Sequence, residues 1–462
     1  MTSYSSIARF TPPRPQPLPP IASLARTIVQ GEGDLLSLLP ANAYTSDATF
    51  LGYSRRSILL VNEPSLVRQV MLDVDEIFPK SDLMVNALES LIGNSIFVSS
   101  GETWRRQRAM IDPAFSMMRL GIAFTSMKAA VDDHVARIKR LCESGEAFSL
   151  DLFMSHLAAD IICRTVFSIP LDDDVARDVF DDFVIFERDV AQVKVWRLIV
   201  DPAWKKPVQS SAVLGAAQRI RDHLGKLIDT HLEAPDGTYN DIASAVIAAR
   251  DTETGEPFTR EELIDQLGVF FLAGHETTAS ALSWLFYFLA SEPSLAKGLR
   301  YEVEGVVGDD AITFQNIKSL VLAKSVFFEA LRLYPPITFM PRVAMKPTKI
   351  GEVSIRRGAL VMIAPWTTHR HMAYWSNPDE FQADRFLPPN DKIGQHLAFF
   401  PFGSGPHTCI GAGFAQIESV LIIAELIRQF EFEIVSGQDV HPVARLTTRP
   451  VREIKCRVKV HG

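Results

Sequence analysis

Apolar residues recur at helical spacing along most of the chain, a pattern that predicts a mainly α-helical protein. It favours a helix over Ile21 to Gly31 and mainly helical structure from Glu63 to about Ala248, where prolines separate the segments. A long helix is predicted from near Thr259 to Ser291, because Glu261 and Glu262 complement the helix dipole in its first turn. Two further helices are predicted over Leu320 to Leu333 and Ala412 to Gln429.

Short alternating segments lie between these helices and predict small β-sheets. They are Ala48 to Tyr53, Arg56 to Val61, Lys349 to Ile355, Ala359 to Ala364 and Phe430 to Ile434, with a final hairpin from Leu446 to Val460. The chain shows neither an internal repeat nor a linker, and its only low-complexity run is Pro12 to Pro20. We therefore expect residues 1–462 to form one large helical domain with a minor β-rich portion.

Composition and charge exclude several classes of protein. A formal net charge of -8 offers no basic surface for nucleic acid. The apolar tract Leu267 to Ala290 contains His275, Glu276 and Thr277, which indicates a buried core helix and not a membrane span. Met1 to Leu24 is polar and proline-rich, with no secretory apolar region. Four cysteines lack paired spacing, so we expect a soluble protein of the reducing cytoplasm, with no membrane partner.

The loop around Cys409 is the most informative stretch of the sequence. Phe402, Gly405, Cys409 and Gly411 form the pattern Phe-x-x-Gly-x-x-x-Cys-x-Gly. Its glycines allow the backbone to approach a flat ligand closely, and amide groups at the start of the next helix are expected to lower the pKa of the thiol. These features predict a thiolate ligand for haem iron, whereas the alternative is a buried structural cysteine.

The same pattern resembles the haem-binding signature of the cytochrome P-450 superfamily, continued by Phe414 and Ala415. The resemblance implies a cytochrome P-450 fold and a non-covalently bound haem b, with Cys409 as the proximal ligand of the iron. The sequence departs from the commonest signature at His407, where arginine is usual. This difference replaces a fixed guanidinium at a haem propionate with an imidazole whose charge is expected to vary with pH.

The long helix carries a second constellation from Ala273 to Thr278. Glycine in mid-helix costs about 1 kcal/mol relative to alanine, so Gly274 indicates a close approach, either by a ligand the size of dioxygen or by a neighbouring helix. Thr277 can donate back to a carbonyl near residue 273, and Glu276 can carry protons or form an ordinary ion pair. The segment is similar to the oxygen-activating stretch of the superfamily, which implies proton delivery by Glu276 and Thr277.

Further residues take roles from the same resemblance. Trp104 and Arg108 match a helix motif that binds one haem propionate, and Arg342 resembles a second propionate arginine. Glu329, Arg332 and Arg385 resemble a buried charge cluster that holds the ligand loop in place. Family analogy also places these residues around the substrate: Val269, Leu272, Ala273, Ile337, Thr338, Leu446 and Thr447.

The resemblance implies a monooxygenase that inserts one atom of dioxygen into a hydrophobic substrate, with hydroxylation as the expected outcome. The substrate-lining residues are chiefly apolar, which suits a terpenoid, fatty acyl or aromatic compound. A peroxide-driven haem-thiolate peroxygenase is a second interpretation, disfavoured by the intact pair Glu276 and Thr277. A non-catalytic haem sensor is a third, disfavoured because the chain carries no signalling module.

Electrons are expected to come from another protein. The sequence has no Gly-x-Gly-x-x-Gly fingerprint for a dinucleotide and no clustered cysteines of an iron-sulfur domain. We expect a small acidic ferredoxin with its own NAD(P)H-dependent reductase. Arg105, Arg106 and Arg108 are the residues expected to offer it positive charge.

Overall fold

A computed structural model describes residues 9–30, 34–51, 56–72, 76–190, 204, 206, 208–235, 237–389 and 395–461 of the protein. Helices account for most of this structure. They are α1 Pro20–Gln30, α2 Pro64–Leu72, α3 Asp82–Ile92, α4 Gly101–Ile111, α5 Met117–Ser144, α6 Leu150–Val166, α7 Asp174–Val190, α8 Ser211–Glu233, α9 Ile242–Ala248, α10 Arg260–Ser291, α11 Pro293–Val307, α12 Phe314–Ser319, α13 Val321–Leu333, α14 Pro365–Thr368 and α15 Ala412–Gln429. The mainly α-helical fold class is confirmed.

The strands are short and form separate small sheets. They are β1 Arg9–Phe10, β2 Ala48–Phe50, β3 Ile58–Val61, β4 Phe148–Ser149, β5 Met340–Val343, β6 Thr348–Ile350, β7 Val353–Ile355, β8 Leu360–Ile363, β9 Phe381–Gln382, β10 Phe430–Ile434, β11 Pro442–Ala444, β12 Thr448–Pro450 and β13 Lys455–Val460. The largest sheet has the order β2-β3-β8-β5, in which β3 and β8 run parallel. The smaller sheets are β10-β13-β4, β1-β9, β6-β7 and β11-β12.

The predicted hairpin from Leu446 to Val460 is wrong. Strand β12 pairs with the preceding β11, so that Val443 lies opposite Arg449. Strand β13 instead pairs with β10 and with β4, which lies about 300 residues earlier in the chain. These pairings are non-local, and alternation within a single segment carries no information about the partner strand. The predicted end of an earlier strand, Tyr53, lies outside the described residues.

The long helix α10 is the central element that positions the site. Thr259 accepts a hydrogen bond from the Glu262 amide, and the Glu262 carboxylate accepts one from the Thr259 amide, which together form a capping box. The predicted span of this helix is confirmed. The helix is buried along most of its length and packs chiefly against α6, with α8, α13 and α15 also in contact. One face of α10 therefore looks across a cavity towards the loop that precedes α15.

Within the described part of the chain, no helix is long and apolar enough to cross a membrane. The cytoplasmic location and the single-domain organisation stay predictions.

Candidate active site

The Cys409 loop folds into a tight turn beside a cavity of about 330 Å³. The Cys409 amide donates to the Phe402 carbonyl at 2.8 Å, and the Thr408 amide donates to the carbonyl of Gly405. Gly403 has a φ of 82°, a left-handed conformation that favours glycine. The turn leaves the Cys409 side chain exposed to the cavity, where Phe402, Gly403 and Gly411 also line the wall.

Gly405 packs closely against α2, a contact that the sequence did not predict. It is absent from the described residues that line the cavity. Its φ is 72°, and a Cβ atom placed there would lie 2.5 Å from the carbonyl oxygen of Met71 at the end of α2. Gly405 therefore permits the close packing of the loop on α2, and the expectation that it binds the cofactor stays a prediction.

The pKa of the Cys409 thiol is lowered by a main-chain amide, as expected, but burial has the larger and opposite effect. Burial raises the pKa of the thiol, while the Gly411 amide and the Arg108 guanidinium oppose that rise. Desolvation outweighs one amide and one cation, so these groups do not by themselves bring the pKa below its ordinary value. The remaining stabilisation of a thiolate would have to come from a bound metal ion, which deprotonates a coordinating thiol.

Three cationic side chains line the edge of the cavity near His407. Arg108 donates to the Thr408 carbonyl at 2.6 Å and to Asp112 at 2.7 Å. Lys80 donates to two main-chain carbonyls, those of residues 96 and 99. The Nε atom of Arg342 is buried and has no hydrogen-bond partner among the described residues, and burial lowers the pKa of this arginine to about 10. Such an edge suits an anionic ligand group.

His407 is a neutral ring in this environment. Burial, followed by the charges of Lys80, Arg342 and Arg108, lowers the pKa of His407 to about 3. These three cations keep the ring neutral near pH 7, and the expectation that its charge varies with pH beside a haem propionate stays a prediction. The ring stacks on the indole of Trp104, with centroids 3.8 Å apart and an interplanar angle of 10°.

The residues present fit a haem group. A thiol lies in the cavity wall, the face of α10 lines the same cavity, and the cations gather at one edge where two propionates would bind. The Nε atom of Arg342, buried without a hydrogen-bond partner among the described residues, is the strongest indication of a haem site. A buried guanidinium is stable when it pairs with an anion. Trp104 and Arg108 also line the cavity, as the sequence predicted.

On α10, Thr277 and Glu276 both line the cavity. The Thr277 hydroxyl donates to the Ala273 carbonyl at 2.8 Å, the bond that the sequence predicted. Glu276 is 1% exposed and accepts hydrogen bonds from Thr447 at 2.5 Å and from Arg449 at 2.8 Å. Burial alone would raise the pKa of Glu276, but the charge and hydrogen bonds of Arg449 lower it. Arg449 and its role were missed from the sequence.

The close approach at Gly274 is made by another helix. A Cβ atom at this position would lie 2.4 Å from the Cδ1 atom of Ile162 on α6. Helix packing is therefore one reason for the glycine. Gly274 also lines the cavity, so the close approach of a ligand the size of dioxygen stays a prediction. Helix α10 continues without a break through this point.

Most of the predicted substrate-lining residues line the cavity. These are Val269, Leu272, Ala273, Ile337, Leu446 and Thr447. Thr338 is absent from the described lining residues, and its hydroxyl pairs with that of Thr448 at 2.8 Å in the interior, so its place beside the substrate stays a prediction. Its neighbours Ile337 and Phe339 do line the cavity. Phe115, Ile162, Val166 and Ile242 were missed, since only the tertiary packing brings them there.

The predicted charge cluster is assembled and buried. Arg332 pairs with Glu329 at 2.7 Å, and Arg385 pairs with the same carboxylate at 3.1 Å. The cluster does not bind the Cys409 loop directly. Arg332 donates to carbonyls of residues 369, 378 and 380, so it holds the segment that precedes the loop. That segment reaches the loop through His369, whose Nε2 lies 3.1 Å from the Phe400 amide nitrogen.

The arginines expected to face a redox partner have other partners. Arg106 forms ion pairs with Glu262 at 2.6 Å and with Asp251 at 3.6 Å. Arg108 faces the cavity and Asp112. Arg105 is the exposed member of the three.

Comparisons with known proteins identify the family of this chain. A family model described as Cytochrome P450 matches residues 12–456. The chain belongs to the cytochrome P450 family. It is 31% identical over 408 residues to a cyclooctat-9-en-7-ol 5-monooxygenase of Streptomyces melanosporofaciens, a match that covers 87% of this chain and 85% of that protein. It is 28% identical over 398 residues to a pentalenene oxygenase of Streptomyces avermitilis, covering 86% of both.

The solved structure of the cytochrome P450DA heme domain has the same fold, with a TM-score of 0.79 at 24% identity. It covers 90% of this chain and is itself covered over 89%. The chain of residues 1–462 is a haem-thiolate monooxygenase with haem b as its cofactor. It incorporates oxygen from dioxygen into an organic substrate. Like other members of the family, it uses a redox partner and a hydrophobic substrate.

Proposed function

We propose that Cys409 is the axial ligand of the haem iron and that Trp104, Arg108 and Arg342 bind the haem propionates. The support is the thiol exposed to the cavity and the buried Arg342 at its edge. Bound haem supplies the oxidising chemistry, and the chain binds and orients it. His407 takes part as a flat neutral ring on Trp104, and Phe402 and Gly411 complete the wall around the thiol.

Replacement of Cys409 tests the ligand. We expect Cys409→Ala to abolish the red-shifted Soret band of the reduced carbon monoxide complex, because that band requires thiolate ligation. The matched control is Cys142→Ala, which removes a free thiol that is not among the residues lining the cavity and is expected to keep the band. A normal band in Cys409→Ala would exclude this ligand.

We propose that Thr277 and Glu276 deliver protons on the distal side of the haem. The Thr277 hydroxyl is held in the cavity wall by the Ala273 carbonyl, and the Glu276 carboxylate lies beside it on α10. A carboxylate and a hydroxyl in one water-excluding wall suit the stepwise transfer of a proton into the cavity. The expected reaction is hydroxylation, in line with relatives named as a monooxygenase and an oxygenase.

We propose a neutral, apolar substrate. Lys80, Arg108 and Arg342 are the cations among the described lining residues, and all of them lie around His407 at the propionate edge. The rest of the described wall is chiefly apolar, with Glu276 as its one carboxylate. A fatty acid would therefore meet no cation for its own carboxylate, at a cost of several kcal/mol for an unpaired charge. The names of two relatives refer to an alkenol and to pentalenene, which fit such a pocket.

A matched pair of ligands tests the substrate class. We expect a cyclic hydrocarbon alcohol to shift the Soret band at concentrations at least about 100-fold lower than the carboxylic acid of the same carbon skeleton, since burial of the charge costs roughly 3 kcal/mol or more. The comparison is made above the pKa of the acid, where it is ionised. Equal affinity for the two compounds would contradict the proposal.

We propose that the electrons come from a ferredoxin-type protein with a separate NAD(P)H-dependent reductase, and that residues 1–462 act as one catalytic unit. Residues 1–462 contain neither a dinucleotide fingerprint nor clustered cysteines, so the electrons reach the haem from outside these residues. Arg105 is the member of the original three whose side chain is exposed, and we retain it for docking.

A further inference from the structure

The loop between α3 and α4 forms part of the cavity wall, and we call its residues 93–99 the wall segment. Ile96 and Phe97 of this segment line the cavity. The amides of residues 95, 98 and 99 donate to carbonyls within the segment or to that of Ile92, the last residue of α3. These bonds shape the segment, but other parts of the chain must hold it in place, because loops are generally more mobile than the helices they join.

Two consecutive side chains of α10, Asp265 and Gln266, bind the wall segment. The Asn94 amide donates to Oδ2 of Asp265 at 3.0 Å, and the Ile96 amide donates to Oε1 of Gln266 at 3.0 Å. A Cβ atom at Gly93 would lie 2.1 Å from Oδ1 of Asp265, so only glycine allows the carboxylate to come this close to the main chain. The wall segment is therefore attached to α10 through two of its amides.

Arg221 of α8 fixes the orientation of the Asp265 carboxylate. One terminal nitrogen of Arg221 donates to Oδ1 of Asp265 at 2.7 Å and to the Leu91 carbonyl at 2.9 Å. The other terminal nitrogen pairs with Glu261. The Arg221 and Asp265 side chains are 13% and 11% exposed, so salt and water screen their ion pair only weakly. Asp265 therefore cannot turn away from the wall segment without breaking this ion pair.

A second set of contacts holds the carbonyl groups of the wall segment. Lys80 donates to the carbonyls of residues 96 and 99 at 2.8 and 2.9 Å. Gln107 of α4 donates to the Asn94 carbonyl at 2.8 Å. Because neither donor belongs to α10, these contacts do not fix the distance between the wall segment and that helix. The two bonds to Asp265 and Gln266 fix it.

The distance between the wall segment and α10 determines the shape of the cavity. Val269 and Phe270 lie on α10 one turn after the two acceptor side chains, and both line the cavity. Apolar packing is non-directional, whereas a hydrogen bond favours one distance and a narrow range of angles. The polar contacts behind the wall therefore give its apolar surface one defined shape.

We propose that Asp265 and Gln266 are positioning residues that fix the shape of the cavity and thereby decide which stereoisomers of an apolar substrate fit it. Neither is among the described residues that line the cavity, so both act through the wall segment. Arg221 contributes by holding Asp265 in its orientation. The inference rests on the proposed apolar substrate.

Hydrogen exchange in the holoprotein tests the attachment of the wall segment. For Gln266→Met we expect the Ile96 amide to exchange at least about tenfold faster than in the wild type, because methionine has a similar size but no acceptor oxygen. For Asp265→Ala we expect the same increase at the Asn94 amide.

Both variants are expected to retain haem. Arg221 keeps Glu261 and the Leu91 carbonyl as partners in Asp265→Ala. Gln266→Met removes Nε2, a buried donor that has no hydrogen-bond partner among the described residues. One variant that retains haem is sufficient for the measurements. If neither retained it, the two side chains would be needed for folding itself, and the inference would be overturned.

The two enantiomers of borneol, a rigid bicyclic alcohol, test the selectivity. Enantiomers have the same hydrophobicity, so a difference in their affinity reports the shape of the cavity. We expect their dissociation constants for wild-type protein, measured from the shift of the Soret band, to differ by at least about tenfold, the effect of one misplaced methylene group. In Gln266→Met and Asp265→Ala the difference is expected to fall below about threefold.

Arg260→Ala is the matched control, because Arg260 and Asp229 form an ion pair between the same two helices, α10 and α8. The shortest distance in this pair is 2.7 Å, and its side chains are 50% and 44% exposed. Arg260 is the first residue of α10, and its guanidinium binds Asp229 through two nitrogens. The variant is expected to keep both the wild-type exchange rates and the wild-type selectivity.

The two measurements separate selectivity from mere cohesion. Faster exchange with an unchanged ratio of dissociation constants would mean that the contacts only stabilise the loop, and it would overturn the inference. Unchanged exchange, or a wild type that binds both enantiomers equally, would overturn it as well. If neither enantiomer shifts the Soret band of the wild type, the proposed apolar substrate is wrong, and the inference falls with it.

Discussion

Gly403 and Gly405 lie in the same loop and have similar backbone conformations, yet different surroundings. Their φ angles are 82° and 72°, a region that costs an L-residue about 1–2 kcal/mol. A Cβ atom at Gly403 would have its nearest neighbour at 3.8 Å, which is ordinary contact. At Gly405 it would lie 2.5 Å from the main-chain oxygen of Met71, which cannot move aside as a side chain would.

We therefore expect Gly405→Ala to destabilise the holoprotein by about 1–3 kcal/mol more than Gly403→Ala, because overpacking against backbone adds to the shared strain. The measurement is the midpoint of thermal unfolding, followed through haem release. Gly403→Ala is the internal control for the strain of the left-handed conformation. Equal midpoints for the two variants would show that the contact with α2 is unimportant.

The chemistry of single residues was only partly predictable from the sequence. Motif spacing identified Cys409 and Glu276, because both lie in short local patterns. Their ionisation was not predictable, since it depends on distant groups. Arg449, which sets the pKa of Glu276, lies 173 residues away in sequence, and the cations that keep His407 neutral come from three separate elements.

At the scale of elements, the buried pair Glu329 and Arg332 joins α13 to the segment before the Cys409 loop. Both side chains are fully buried. Arg332 also donates to the carbonyls of His369, Pro378 and Glu380. We expect Arg332→Ala to cost roughly 3–5 kcal/mol, because it leaves a buried carboxylate short of a partner and several carbonyls without donors. The yield of haem-loaded protein measures the effect.

The exposed pair Arg177 and Asp174 on α7 is the matched control, with the same i,i+3 spacing. Its side chains are 56% and 89% exposed, so solvent screens the interaction. Arg177→Ala is expected to change stability by less than about 1 kcal/mol. If Arg332→Ala gave holoprotein in the yield of Arg177→Ala, the buried cluster would have no structural role.

Helices and strands were predictable from the sequence where the residues that define their ends lie close to them in the chain. The capping box at Thr259 and the proline after Ser291 define α10 within the sequence itself, and α15 was predicted with its observed bounds. The hairpin at the end of the chain was not predictable in this way. Strand β13 pairs with β10 and β4, and no local sequence pattern identifies a partner strand that lies so far away in the chain.

For the whole molecule, stability is expected to depend on pH through a buried ion pair that joins α8 to the start of α9. His231 and Asp241 lie 2.9 Å apart, and each side chain is 3% exposed. Burial alone would lower the pKa of His231, but its hydrogen bond to Asp241 raises it above 6.5. Burial alone would raise the pKa of Asp241, but His231, Ser244 and Ser168 lower it below 3.8.

The pKa shifts of His231 and Asp241 set the upper and lower limits of the pH range in which their ion pair stabilises the fold. A raised pKa of His231 means that its contribution is complete below about pH 6.5 and is lost as pH rises through the folded-state pKa. A lowered pKa of Asp241 means that its contribution is complete above about pH 3.8 and is lost as pH falls through the folded-state pKa. The pair therefore stabilises the fold most between about pH 4 and 6.5.

We expect the thermal midpoint of His231→Gln to lie below that of the wild type by several degrees at about pH 5.5. The difference is expected to become smaller towards about pH 9, as the pH rises through the folded-state pKa of His231. His441→Gln is the control, because His441 and Asp439 are 41% and 78% exposed and solvent screens their interaction. Its midpoint is expected to follow the wild type at both values of pH. A gap between wild type and His231→Gln that stays constant from pH 5.5 to 9 would mean that neutral hydrogen bonding, and not the charge of His231, joins α8 to α9.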